Sequence, residues 1–208
     1  MARDEAYLEA EKKIEEARRS GETHLNLWNI VHSEFGELPD SLSQCTNVQS
    51  LDIGGNQLRT LPAWFDQFTQ LKKLSLLFNK FTSLPESLAQ LTQLQSLDLA
   101  YNQLTMLPEW LGNLTQLRSL TLFQNQLKAL PESLGRLTQL RSLSLSSNQL
   151  TTLPKSLGKL KQLQALTLSS NQLTIMPEWL LELKRLKILD FGGNKLKELV
   201  PQQVKDVG

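Results

Sequence analysis

Five large apolar side chains, Trp28, Leu77, Phe78, Tyr101 and Phe123, and two carboxylates, Asp52 and Asp98, are the residues here whose types and spacing suggest chemistry. Clustered aromatic groups on a polar surface bury apolar area against a partner. Paired carboxylates serve acid–base or metal chemistry only where other groups converge on them. No histidine, cysteine or lysine is paired with Asp52 or Asp98 at catalytic or metal-ligand spacing. His24 and His32 have no acid or thiol placed to act with them, and Cys45 is the single cysteine. These residues predict a non-catalytic binding surface, with no cofactor and no metal.

What positions them is a 23-residue period. Leu140 is matched by Val48, Leu71, Leu94, Leu117, Leu163 and Leu186, and Leu143 by Leu51, Leu74, Leu97, Leu120, Leu166 and Leu189. Leu145 is matched by Ile53, Leu76, Leu99, Leu122, Leu168 and Phe191. Eight places after the first leucine stands an asparagine in every copy: Asn56, Asn79, Asn102, Asn125, Asn148, Asn171 and Asn194. The L-x-L alternation predicts a short strand with one buried face, and one strand per unit in a constant direction predicts a parallel sheet. The chain crosses back through Leu-Pro-x-x-Leu-x-x-Leu, which places Pro62, Pro85, Pro108, Pro131, Pro154 and Pro177 at a first helical position ahead of one apolar stripe. No unit can bury its leucines alone, so the fold class is an α/β repeat solenoid: parallel sheet on one face, short helices or 3-10 turns on the other. The asparagines sit where the chain leaves the sheet, among backbone groups that need partners. They predict a structural ladder rather than a catalytic row.

Composition narrows the function classes. With 22 basic and 21 acidic residues the net charge is +1, which gives no electrostatic argument for nucleic acid or an anionic membrane. No segment approaches the roughly 20 apolar residues of a membrane helix, and the opening Met-Ala-Arg-Asp-Glu-Ala has no apolar run of a secretory signal. A lone cysteine excludes an internal disulfide framework and favours a cytoplasmic setting.

Along the chain, residues 1–20 are expected to form an N-terminal capping helix, with Tyr7, Ala10, Ile14 and Ala17 on one face, Leu8 beside them and Gly21 as the stop. Residues 21–47 read as a divergent first repeat: Leu25 and Leu27 make the strand, Leu42 and Cys45 the return, and Ile30 replaces the asparagine. Its turn is three residues longer than the others, and Cys45 is expected to be a buried, inert thiol. Residues 48–208 hold seven 23-residue units, the last degenerate, with Pro201 one place late and Val204 and Val207 in leucine places. With nothing polar to seal the last core face, we expect either covalent continuation in a longer protein or self-association there.

The unit L-x-x-L-x-L-x-x-N-x-L, and the longer N-Q-L-T-x-L-P-x-x-L-x-x-L-T-Q-L seen from Asn102 and from Asn148, resembles bacterial leucine-rich repeat proteins and their Ras-suppressor-like subfamily. The segment from Asp4 to Leu27 is similar to the opening of the repeat region in bacterial Roco-type proteins, where such repeats precede a Ras-like GTPase module. That resemblance implies a partner-sensing or regulatory role. The chain itself has no G-x-x-x-x-G-K-[ST] loop, so nucleotide binding does not transfer to it. A bacterial effector scaffold is a third reading. Secreted members of the family resemble one another in Cys-rich end caps, which this chain lacks.

In such a horseshoe the non-leucine strand positions face the concave side. Large residues at the last two of these offsets, Trp28, Leu77, Phe78, Tyr101 and Phe123, are confined to the N-terminal half, while Ser146, Ser147, Ser169 and Ser170 fill them further on. Four strand steps separate Trp28 from Phe123, about 19 Å at 4.8 Å per step, enough for a helix or an extended peptide. The expected partner is a protein or peptide, with Asp52 and Asp98 on the same face. The competing reading is that these rings only pack on one another. Trp64, Trp110 and Trp179 on the returns, and the row Lys72, Arg118, Arg141 and Lys187, read as packing and as a solvated edge.

Overall fold

The computed structural model describes residues 5–30 and 37–197. His32, most of the longer first turn, and Pro201, Val204 and Val207 lie outside the described residues.

Eight strands, β1 (His24–Asn26), β2 (Ser50–Asp52), β3 (Lys73–Ser75), β4 (Ser96–Asp98), β5 (Ser119–Thr121), β6 (Ser142–Ser144), β7 (Ala165–Thr167) and β8 (Ile188–Asp190), form one parallel sheet in chain order. The register is in phase throughout, so the middle leucines, from Leu25 across to Leu189, stand side by side. Each strand is one stripe of a core that no unit could close by itself.

The returns are 3-10 helices of five residues, the first Asp40–Gln44 and the last Glu178–Glu182. Their leucines recur every three residues, which matches the three residues per turn of that helix and keeps the side chains on one face. In the unit after β3, Leu88 N–H donates to Pro85 O at 3.2 Å, Leu91 N–H to Leu88 O at 3.1 Å, and Leu94 N–H to Leu91 O at 3.0 Å. All three leucines are fully buried. The prolines stand one place earlier than a first helical position. They are the N-caps, extended at φ −60 to −74° and ψ 133 to 158°. A proline there ends the extended run with a φ already suited to the turn and has no N–H to leave unpaired.

The asparagines join each unit to the one before it. Asn102 Nδ2 donates to Leu76 O (3.0 Å) in the preceding unit and Leu99 O (3.1 Å) in its own, while its Oδ1 accepts from Phe81 N–H (3.1 Å). Asn125, Asn148 and Asn171 repeat that pattern, and Asn194 does so at the last described turn. Asn79 serves Ile53 O, Leu76 O and Leu58 N–H. Asn56 reaches Leu27 O at 2.8 Å over a separation of 29 residues instead of 26, the three-residue surplus of the first turn. Asparagine carries two donor hydrogens and an acceptor oxygen on one short side chain, where a hydroxyl has a single hydrogen to give, and two carbonyls and an amide leaving a sheet require that set.

Helix α1 (Glu5–Ser20) packs on the first return, Asp40–Gln44, at the N-terminal end of the stack. Ala10, Ile14 and Ala17 are buried, Tyr7 is half-buried and Leu8 stays exposed. Arg18, held by Glu15, also donates to Gln44 Oε1 of the first return at 3.0 Å. Cys45 is buried beneath the helix with Sγ 3.7 Å from Ile14 O, and that burial pushes its thiol pKa up, against the pull of Arg18. The thiolate is disfavoured, so nucleophilic chemistry is not supported there.

Candidate protein-interaction surface

Just past each strand the chain turns off the sheet through two outward residues. Among the described residues none of Trp28, Leu77, Phe78, Tyr101 and Phe123 belongs to the buried core. Trp28, Phe78 and Tyr101 are 37, 48 and 38 % exposed, with Leu77 and Phe123 half-buried. The four rings form one run. Trp28 meets Phe78 edge-on at 6.1 Å, Phe78 stacks on Tyr101 at 4.1 Å, and Tyr101 meets Phe123 edge-on at 5.1 Å. They pack on one another and still present their rims to solvent.

That run crosses the second unit, which contributes no ring. Gly54 makes the crossing possible: a Cβ there would lie 2.2 Å from an indole carbon of Trp28 and 2.8 Å from Leu77 O. Nothing in the alternation of side chains assigns this glycine a role. Its signal was the small residue in a row of large ones, flanked by Trp28 and Leu77.

The backbone under the central pair of rings is left-handed. Phe78 has φ 55° and Tyr101 φ 52°, the same turn taken by Asn29, Gln124, Ser147 and Ser170, and by Gly55 at 71° and Gly193 at 67°. The turn aims each N–H at the next unit's carbonyl, as in Phe78 N–H to Ala100 O (3.1 Å) and Tyr101 N–H to Phe123 O (2.9 Å). For a residue with a Cβ this region costs about 1–2 kcal/mol, and bulky residues are rare in it. Two neighbouring aromatics therefore stand where the backbone favours glycine, which two other units carry there as Gly55 and Gly193.

The two carboxylates are partly committed to the scaffold. Asp52 Oδ1 accepts from Gly54 N–H and Asp98 Oδ1 from Ala100 N–H, both at 3.0 Å, as Asn26 Oδ1 does from Trp28 N–H at 2.8 Å. Each fixes the turn that carries a neighbouring outward side chain. Ser75 lies between them in register.

Two family models match the chain, one described as Leucine-rich repeat region over residues 20–133 and one as Leucine rich repeat over residues 129–173. The chain belongs to the leucine-rich repeat family. A leucine-rich repeat protein of Leptospira interrogans is 29 % identical with TM-score 0.66, covering 93 % of this chain and 60 % of its own. The ectodomain of the Arabidopsis thaliana receptor kinase GASSHO1/SCHENGEN3, solved in complex with CASPARIAN STRIP INTEGRITY FACTOR 2, is 36 % identical with TM-score 0.73, covering 82 % of this chain and 21 % of its own. An internalin of Listeria monocytogenes is 25 % identical with TM-score 0.66, covering 78 % and 54 %. This chain thus spans less than two thirds of each of these structures. The search of curated proteins finds no match.

Within this leucine-rich repeat sheet the second half differs. Hydroxyls at the outward positions bond to one another, Thr167 Oγ1 to Ser144 Oγ at 3.1 Å and Ser169 Oγ to Ser146 Oγ at 2.9 Å. On the returns Trp64, Trp110 and Trp179 are half-buried against the core, and Trp64 Nε1 donates to Asp40 Oδ1 at 3.2 Å. Lys72, Arg118, Arg141 and Lys187 are exposed. His24 Nδ1 lies 3.0 Å from Thr23 Oγ1. Met106 and Ile175, 65 and 73 % exposed, share one offset of the turn region that was not singled out by sequence, and Ile175 lines a cleft with Met176, Trp179 and Leu181. Among the described residues no group of three or more His, Cys, Asp or Glu side chains could hold a metal, and no helix is long and apolar enough to cross a membrane.

Proposed function

We propose that this leucine-rich repeat chain is a non-catalytic recognition module that binds a protein or peptide across the N-terminal half of its concave sheet, on Trp28, Leu77, Phe78, Tyr101 and Phe123. The observation that carries this reading is the continuous, solvent-facing aromatic run whose central pair sits on left-handed backbone. Self-packing explains contact between rings. It does not explain why Trp28, Phe78 and Tyr101 stay 37, 48 and 38 % exposed, an apolar area that a partner can bury. The complex of the plant receptor ectodomain with its factor supports a protein or peptide as the class of partner.

Immobilised wild-type protein and the Phe78→Ser, Tyr101→Ser, Phe123→Ser triple variant test it, with Met106→Ser, Ile175→Ser as the control. Quantitative recovery of bound proteins is expected to show ligands lost by the triple variant and kept by the control. Equal recovery by all three proteins would contradict it.

A second reading rests on the opening segment, whose similarity to Roco-type proteins coincides with a helix packed on the first return. On it the module is the sensing part of a larger cytoplasmic bacterial GTPase of the Ras-suppressor-like repeat class. The full gene decides this: a downstream G-x-x-x-x-G-K-[ST] loop supports it, and a gene without one removes it.

A further inference from the structure

Asp52 and Asp98 have no cationic partner among the described residues. Each spends one carboxylate oxygen on a turn amide, leaving the other free to accept. In register they flank Ser75 two strand steps apart, so a charge placed over Ser75 would lie about 5 Å from each. Lys73, on the same face, stands two residues earlier along the strand and pairs with neither. Burial raises the pKa of Asp98, its bond from Ala100 N–H opposes that, and the charge of Asp52 raises it further, so the two carboxylates repel across a gap that holds no counter-charge.

Ser75 leads directly into Leu77 and Phe78. The rings stack or meet at right angles in one run, so they offer apolar area beside the carboxylates. Two unpaired carboxylates hold a cation more strongly than a ring does, so the rings suit an apolar side chain and the cation falls to the carboxylates. We infer that the partner presents a lysine or arginine that enters over Ser75 between Asp52 and Asp98, with an apolar or aromatic anchor about 7–10 Å away, two or three residues on in an extended segment, against Phe78 and Tyr101.

This rests on the concave-face reading above, and the experiment separates the two. A phage-displayed library of random 12-residue peptides is selected on three proteins: wild type, the double variant Asp52→Asn with Asp98→Asn, and the triple serine variant. Asparagine keeps the turn acceptor, as Asn26 shows. Wild-type selections lost on the triple variant are expected to be rich in Lys or Arg and poor in Asp and Glu, with an apolar residue two or three places from the base. Their binding to the double asparagine variant is expected to fall about tenfold, and more steeply at low salt. Ring-dependent peptides with no basic preference, or with one that survives in the asparagine variant, would overturn the cation site and leave the surface standing. Absence of any ring-dependent peptide would overturn both.

Discussion

At the same place in the unit, Phe78 and Tyr101 hold left-handed backbone at φ 55° and 52°, and Ser147 and Ser170 hold it at 57° and 55°. The N-terminal pair carries stacked rings 4.1 Å apart that face solvent, and the serines border a row of hydroxyls that bond to each other. Beneath both, the leucine rows and asparagine bonds are the same. The scaffold is therefore indifferent to what stands on it, and the difference between the halves lies in the surface alone.

Breaking the scaffold should then cost the same in either half. Asn102→Ala and Asn148→Ala each strip two buried carbonyls and one amide of their partner, and each is expected to lose about 3 kcal/mol. Urea unfolding of both checks this, and a large gap between them would show that the halves differ below the surface as well.

A methyl group on the open face should distinguish them. Gly54→Ala drives a Cβ into the Trp28 indole and Leu77 O and is expected to lose about 2 kcal/mol, whereas at Gly192 the nearest atom is Asp190 Oδ1 at 3.2 Å and Gly192→Ala should be nearly neutral. The indole fluorescence of Gly54→Ala should shift as Trp28 is displaced.

Relieving the turn should act in opposite directions. Ser147→Gly is expected to gain up to about 1 kcal/mol, while Tyr101→Gly loses about 1 kcal/mol because ring contacts outweigh the relief. Thermal melts would measure both, and a Tyr101→Gly variant more stable than wild type would show the rings are a pure liability to the fold.

The smallest effect concerns Asp98. Its folded pKa lies above the ordinary 3.8, so the folded state binds the proton more readily and ionisation at neutral pH opposes folding. Asp98→Asn should be slightly more stable than wild type at pH 7. That advantage should vanish as pH falls through the carboxylate range, where Asp98 becomes neutral in both states.

Much of the fold was legible because the 23-residue period fixes it: in-phase leucines gave the parallel sheet and its register, and the leucine stripe gave short returns, helical or 3-10, of which the structure takes the 3-10 form. The proline was placed one position late because its fixed φ suits both an extended N-cap and a first turn. The candidate surface was legible only as a row of bulky spacers. Alternation says which face a residue takes, but the reach of Trp28 over Gly54, the left-handed turn and the second duty of Asp52 and Asp98 arise from backbone geometry that no side-chain pattern records. The long first turn was recognised from its length, and its continuation beyond Ile30 lies outside the described residues.

The most direct test takes a ring-dependent peptide and measures its affinity by calorimetry alongside the circular dichroism melt, for wild type and for Phe78→Ser, Tyr101→Ser, Phe123→Ser. Loss of binding by a variant that still melts in one cooperative transition, a few kcal/mol less stable than wild type, is the predicted result, since a surface separable from its scaffold must show both. A variant that binds as wild type does, or one that unfolds when the rings are removed, would contradict the account.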